Sequence, residues 1–206
     1  MPPNRMSANP ARPLRLPPAN FSRIKIPRVR QPTRNWFRLH QTKFSAVYFS
    51  LAATHRFSHA ACQYPFLYLG VDVDTCLFER FGDLAYDNQR AIPKTVWDAN
   101  SLSIIRVPEV HVCDLTNSKT LSSLMVDLSA LMHTDMAAPQ AWGRAIQEHP
   151  ANFRGIKFKS RFNGKACLAL FKRDGMENHL RESLIDTLPK TRAAADWLDK
   201  HKVSLF

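Results

Sequence analysis

Eight of the fourteen prolines of this 206-residue chain fall within its first 34 residues, together with eight basic residues and no acid. Proline has no amide proton to give and clashes with the preceding turn, so such a stretch cannot run as a helix or as a central strand. Its apolar residues are few: Leu14, Leu16, Phe21, Ile24, Ile26 and Val29. They offer too little surface to offset the entropy of ordering the chain. Residues 1–34 are therefore expected to form a disordered or extended basic arm, and the folded domain is expected over 35–206. The arm carries +8 of the net charge of +12, which leaves an ordinary +4 for the rest. Clustered arginine on an open backbone suits contact with a polyanion such as a nucleic acid, although interleaved aromatics for base stacking are missing. The plainer expectation is a solvated tail, with Met6 as an alternative start. A secretory signal would need an apolar segment that is missing, and the prolines oppose the amphipathic helix of a transit peptide.

Beyond the arm the hydrophobic pattern predicts an α+β domain of short strands and about five helices, without regular strand–helix alternation. Residues 35–49 read as a strand followed by a loop, and 66–73 as a buried strand. Asp72 or Asp74 can cap a helix over 75–87. Residues 88–100 read as a loop broken at Pro93, and 103–116 as a strand region interrupted by Pro108. One long helix is expected to carry Leu121, Leu124, Met125, Leu128, Leu131 and Met132, and another spans 139–149. Residues 155–161 and 165–173 form a hairpin about Phe162-Asn163-Gly164. A helix is expected over 177–188, with Leu180, Leu184 and Leu188 on one stripe, and a last helix runs through Trp197 and Leu198.

Several classes are excluded. No run of about 18 apolar residues exists to cross a membrane. The four cysteines lie far apart without a C-x-x-C pair, which argues against a zinc ribbon and for reduced thiols in a cytoplasmic protein. The P-loop, dinucleotide-fold and hydrolase-elbow motifs are missing. With six glycines, bound phosphate would have to be held by arginine rather than by backbone amides. His55, His59 and Cys62 have metal-ligand spacing but no fourth ligand, so they read as loop residues rather than a zinc site.

The order of the remaining polar residues is more informative than any one of them. The chain carries W-F-R-L-H at 36–40, H-R-F-S at 55–58, Y-P-F-L-Y-L-G-x-D-x-x-T-C-L-F-E at 64–79 and G-I-K-F-K-S-R-F at 155–162, then L-A-L-F at 168–171. This series resembles the RES-domain family, named for spaced Arg, Glu and Ser residues, whose studied members are toxins of bacterial toxin–antitoxin pairs. The resemblance implies a fold like that of ADP-ribosyltransferases, with a cleft between small sheets that binds NAD. By position it makes Arg38, Glu79 and Ser160 catalytic, and places Arg38, Arg56, Tyr68 and Ser160 against NAD. It implies cleavage of the nicotinamide–ribose bond by water or phosphate, or in some relatives ADP-ribosylation of a protein. NAD is then substrate, and no metal is required. The implied partner is a helical DNA-binding antitoxin of the Xre type that plugs the cleft. His55 stands where many members have glycine.

The chemistry agrees with those residue types. Loss of nicotinamide builds positive charge on the ribose, and a carboxylate beside that cation is what glycoside-cleaving enzymes use; Glu79 is the candidate. Guanidinium forks suit a pyrophosphate, which Arg38 and Arg56 could hold. Tyr68 offers a ring and a hydroxyl to nicotinamide, and Ser160 could fix Glu79 or the nicotinamide amide.

Overall fold

The computed structural model describes residues 14–206. Ten strands are present among them: β1 (Val29–Gln31), β2 (Arg34–Gln41), β3 (Phe66–Gly70), β4 (Ala91–Ile92), β5 (Asn100–Val107), β6 (Val110–Asp114), β7 (Gly155–Lys159), β8 (Ala166–Phe171), β9 (Arg181–Thr187) and β10 (Ser204–Leu205). The helices are α1 (Val73–Asp87), α2 (Lys94–Asp98), α3 (Ser118–Leu124), α4 (Leu128–Met132), α5 (Ala137–Glu148), α6 (Met176–His179) and α7 (Arg192–His201). Eight strands form one mixed sheet in the order β1-β6-β7-β8-β3-β2-β5-β9, and β10 pairs with β4 apart from it. No helix among the described residues is long and apolar enough to cross a membrane.

The sheet is nearly two sheets. Its left part, β1 to β3, and its right part, β2, β5 and β9, meet only where Phe37 of β2 lies opposite Gly70 of β3. By contrast β2 pairs with β5 along its full length, Arg34 opposite Val107 through Gln41 opposite Asn100. The seam leaves room for a cleft, which α1 closes on one side.

Period-two alternation sets the core. In β8, Cys167, Ala169 and Phe171 pack into one cluster with Phe57, Trp142 and Phe158, while Leu168 and Leu170 pack into another with Trp36, Leu67 and Ile105. A strand buried on both faces reads as an unbroken apolar run, as β8 does. A third cluster, with Leu77, Phe81, Trp97, Leu102 and Trp197, joins α1 to α7. The cap of α1 is Asp72, whose carboxylate accepts from the Thr75 amide at 2.9 Å.

Four sequence expectations need correction. The basic segment is docked on the domain at several points: Phe21 sits edge-on to Trp142 at 5.5 Å, the Trp142 indole donates to the Arg15 carbonyl at 2.8 Å, and β1 pairs with β6. Six apolar side chains cannot build a core, but they can dock on one already formed, and burying Phe21 alone contributes about 2 kcal/mol. Residues 1–13 of the expected arm lie outside the described residues. The helix expected over 177–188 is one turn, α6, followed by strand β9 on β5; leucines four apart share a face in a strand as well as in a helix. The long helix breaks at Met125, which adopts a left-handed conformation (φ 47°), and restarts with Asp127 as cap. The loop expected over 88–100 contains β4 and α2, because β10 from the far end of the chain supplies β4 with a partner.

Candidate active site

At the seam lies a cavity of about 210 Å³. Its walls come from α1, the ends of β2 and β3, the segment Thr54–Arg56, and the β7–β8 hairpin. Three of the five residues singled out from sequence line it: Arg56, Tyr68 and Glu79.

Glu79 projects from the second turn of α1 and is exposed to the cavity. Its carboxylate makes no hydrogen bond or ion pair among the described residues; the Arg56 guanidinium is near enough to feel its charge. Arg56 is 7% exposed. Among the described residues it reaches only the soft Met132 sulfur at 3.3 Å and lies 5.8 Å over the Phe158 ring. Burial lowers its pKa, Glu79 opposes that shift, and Arg161 adds to it. A buried guanidinium without a carboxylate in contact is unfavourable by itself and becomes favourable when an anion enters.

Tyr68 uses its hydroxyl internally. It accepts from the Phe57 amide at 3.1 Å and shares a hydrogen bond with the Ser58 hydroxyl at 3.0 Å. Burial pushes its pKa well above the ordinary tyrosine value. The hydroxyl therefore holds the loop that carries His55 and Arg56. Helix α5 backs the same loop: Gln140 Nε2 donates to the carbonyls of Ala53 and His55. Gly143 lets α5 come so close that a Cβ there would stand 2.1 Å from the Phe57 carbonyl oxygen.

Arg38 and Ser160 do not line the cavity. Alternation along β2 sends Leu39 to the cavity and Arg38 to the Trp36 side. There one terminal nitrogen of Arg38 donates to the Tyr48 carbonyl at 2.8 Å, and Nη1 is buried without a partner. Burial lowers its pKa to about 10, against the opposing pull of Cys76 and Glu182, so it stays charged near neutrality. Ser160 is 1% exposed and accepts from the Phe162 amide at 3.2 Å, which ties the hairpin turn.

Sequence reading missed several wall residues. Arg80 and Asp83 follow Glu79 on α1, and Asp83 lies one turn along the same face, where i and i+4 residues meet. Asp83 pairs with Arg161 of the hairpin. Arg80 has its pKa lowered by burial. With Asp83 and Arg161 neutralising one another, the unpaired charges of the walls are Arg56, Arg80 and Glu79: two cations to hold an anionic ligand and one carboxylate left free. His55 also faces the cavity. Cys76 and Cys167 line it as thiols, with burial pushing Cys76 up to about 12, so neither is a ready nucleophile.

Comparison with known proteins bears on the family and the fold. No curated protein matches the sequence. The structure is similar to that of the M. tuberculosis MbcT–MbcA toxin–antitoxin complex, with a TM-score of 0.57 and 17% identity over 79% of this chain and 90% of that one. At that identity the likeness shows a shared fold. The family model of the RES domain matches residues 25–193, starting inside the docked basic segment and taking in the whole cavity, and the chain therefore belongs to the RES domain family.

Proposed function

We propose that the cavity binds the nicotinamide end of NAD and that the chain cleaves the nicotinamide–ribose bond, as a toxin of a toxin–antitoxin pair. The carrying observation is the Glu79 carboxylate, unpaired and facing a cavity whose other free charges are arginines. As nicotinamide departs with the bonding electron pair, its ring loses its positive charge and the ribose gains one. A fixed carboxylate beside that carbon stabilises the developing cation without giving up a proton. Arg56 and Arg80 supply the countercharge for the pyrophosphate. Water or phosphate then attacks the open face of the ribose. Arg38 and Ser160 act in this reading as positioning residues, through the β2 wall and the hairpin turn. The split sheet supports an arrangement like that of ADP-ribosyltransferases. An antitoxin is the partner this reading implies, in line with the toxin–antitoxin complex of the similar structure, and its helical DNA-binding Xre type is what the resemblance to the family adds. The buried reduced cysteines suit a cytoplasmic setting.

The test is nicotinamide release from NAD by the purified chain, with and without phosphate, beside Glu79→Ala. Release that needs phosphate and vanishes in the variant means phosphorolysis; release without phosphate means hydrolysis. Label from NAD appearing on an added protein means ADP-ribosylation. A fully active Glu79→Ala protein would sink the reading.

A further inference from the structure

His55 lines the cavity beside Tyr68. Its imidazole packs on the Tyr68 ring at 5.0 Å between centroids, tilted by 45°. Tyr68 is also flanked by Phe66 at 5.9 Å and Phe158 at 6.4 Å. Its hydroxyl is spent on the loop, and neighbouring rings crowd it. His55, in contrast, is exposed to the cavity, and neither ring nitrogen has a hydrogen-bond partner among the described residues. Its backbone is held twice, by the Ser58 amide at 3.1 Å and by Gln140 at 3.3 Å. A ring fixed by its backbone, backed by a second ring and open on its other side is a stacking platform.

Resting on the NAD reading above, we infer that His55 is the surface against which the nicotinamide ring packs, and that it makes the site discriminate the cationic ring from an uncharged one. A neutral imidazole offers its π face to a cationic ring. An imidazolium repels it. The charged groups that line the cavity with His55 are Arg56 of its own segment, Glu79, Arg80 and Asp83 of α1, and Arg161 of the hairpin, and the charge of Arg38, on the other face of β2, also reaches it. Burial, then Arg80 and Arg38, keep the His55 pKa below the ordinary histidine value. The platform is thus neutral at neutral pH and gains charge only in acid. The cleavage product, nicotinamide, is uncharged, so protonation of His55 opposes substrate and not product.

The experiment compares three probes across pH 7.5 to about 5: NAD, through its KM for nicotinamide release; NADH, whose reduced ring is uncharged, through its Ki; and free nicotinamide, through its Ki. For the unsubstituted chain the KM for NAD should rise about fivefold or more toward acid, fivefold being the size expected for two like charges about 4 Å apart in water, while NADH and nicotinamide do not weaken. In His55→Phe, which keeps a ring but cannot take up a proton, the acid rise should disappear. In His55→Gln the rise should also disappear, but KM should be raised at every pH because the platform is lost. Any acid effect that does not come from His55 is common to all three proteins and cancels in the comparison. A KM that is flat in the original chain, or that rises equally in His55→Phe, overturns the role of His55 and leaves NAD cleavage standing. Absence of nicotinamide release from the original chain overturns the NAD reading itself.

Discussion

The two walls of the cavity use similar residue types in opposite ways. On the α1 wall, Glu79 and Arg80 project into the open space and make no hydrogen bonds among the described residues. On the opposite wall, Tyr68 of β3 holds the Phe57 amide and the Ser58 hydroxyl of the neighbouring loop, and Ser160 ties the hairpin turn. A helix already has its backbone satisfied, so its side chains are free for a ligand. A loop has no such ladder, and nearby polar side chains must supply the missing hydrogen bonds. The difference teaches that a polar residue in a site can serve either the ligand or the scaffold, and that its local backbone decides which.

Four substitutions can break or sharpen this contrast. Glu79→Gln carries the largest expected effect: kcat should fall about 10³-fold, close to 4 kcal/mol of barrier, because the carboxylate meets charge only as the bond breaks. Thermal unfolding should not change; a variant that loses stability in step with activity would make Glu79 part of the scaffold. Next is Gly143→Ala. The added Cβ would meet the Phe57 carbonyl oxygen at 2.1 Å, so either α5 or the loop must move, at about 2–3 kcal/mol in urea unfolding. Nicotinamide release should suffer in KM, since the loop carries His55 and Arg56.

Tyr68→Phe leaves the Phe57 amide and the Ser58 hydroxyl without their partner and should cost about 1–2 kcal/mol. Its KM should rise more than its kcat falls; the reverse split would mean that the hydroxyl meets the substrate directly. Ser160→Ala should be mildest, about 1 kcal/mol or less of stability from one turn hydrogen bond. A kcat loss approaching that of Glu79→Gln would put Ser160 on the chemical side of the contrast.

Much of this fold was legible beforehand because it rests on local signals. The β8 run Ala166–Phe171, the hairpin about Gly164, the Asp72 cap and the break at Pro108 each leave a mark within a few residues. Failures came where one pattern serves two structures or where a partner is remote. Leu180 and Leu184 fit helix and strand equally, and only pairing with β5 makes a strand of 181–187. Phe21 and Ile26 look like too little for a core until Trp142 and His149 are placed beneath them. In the site, Arg56, Tyr68 and Glu79 were found as a series. Arg80, Asp83 and Arg161 were not, because their roles depend on α1 facing the hairpin across the cavity.

The sequence by itself determined most of the longer elements and the inventory: short strands, capped helices, many arginines with few glycines, and a carboxylate in the first helix of the domain. These follow from propensities and side-chain chemistry, which act over a few residues. Only the tertiary structure decided which members of that inventory are free. It sent Arg38 to the far face of β2, spent the Tyr68 hydroxyl and Ser160 on the backbone, paired Asp83 with Arg161, and left Glu79, Arg80 and His55 open to the cavity. Hydrogen-bond satisfaction is a property of neighbours in space, and residues 54–56, 68, 79 and 161 become neighbours only when the loop before β3, α1 and the β7–β8 hairpin pack around one cavity.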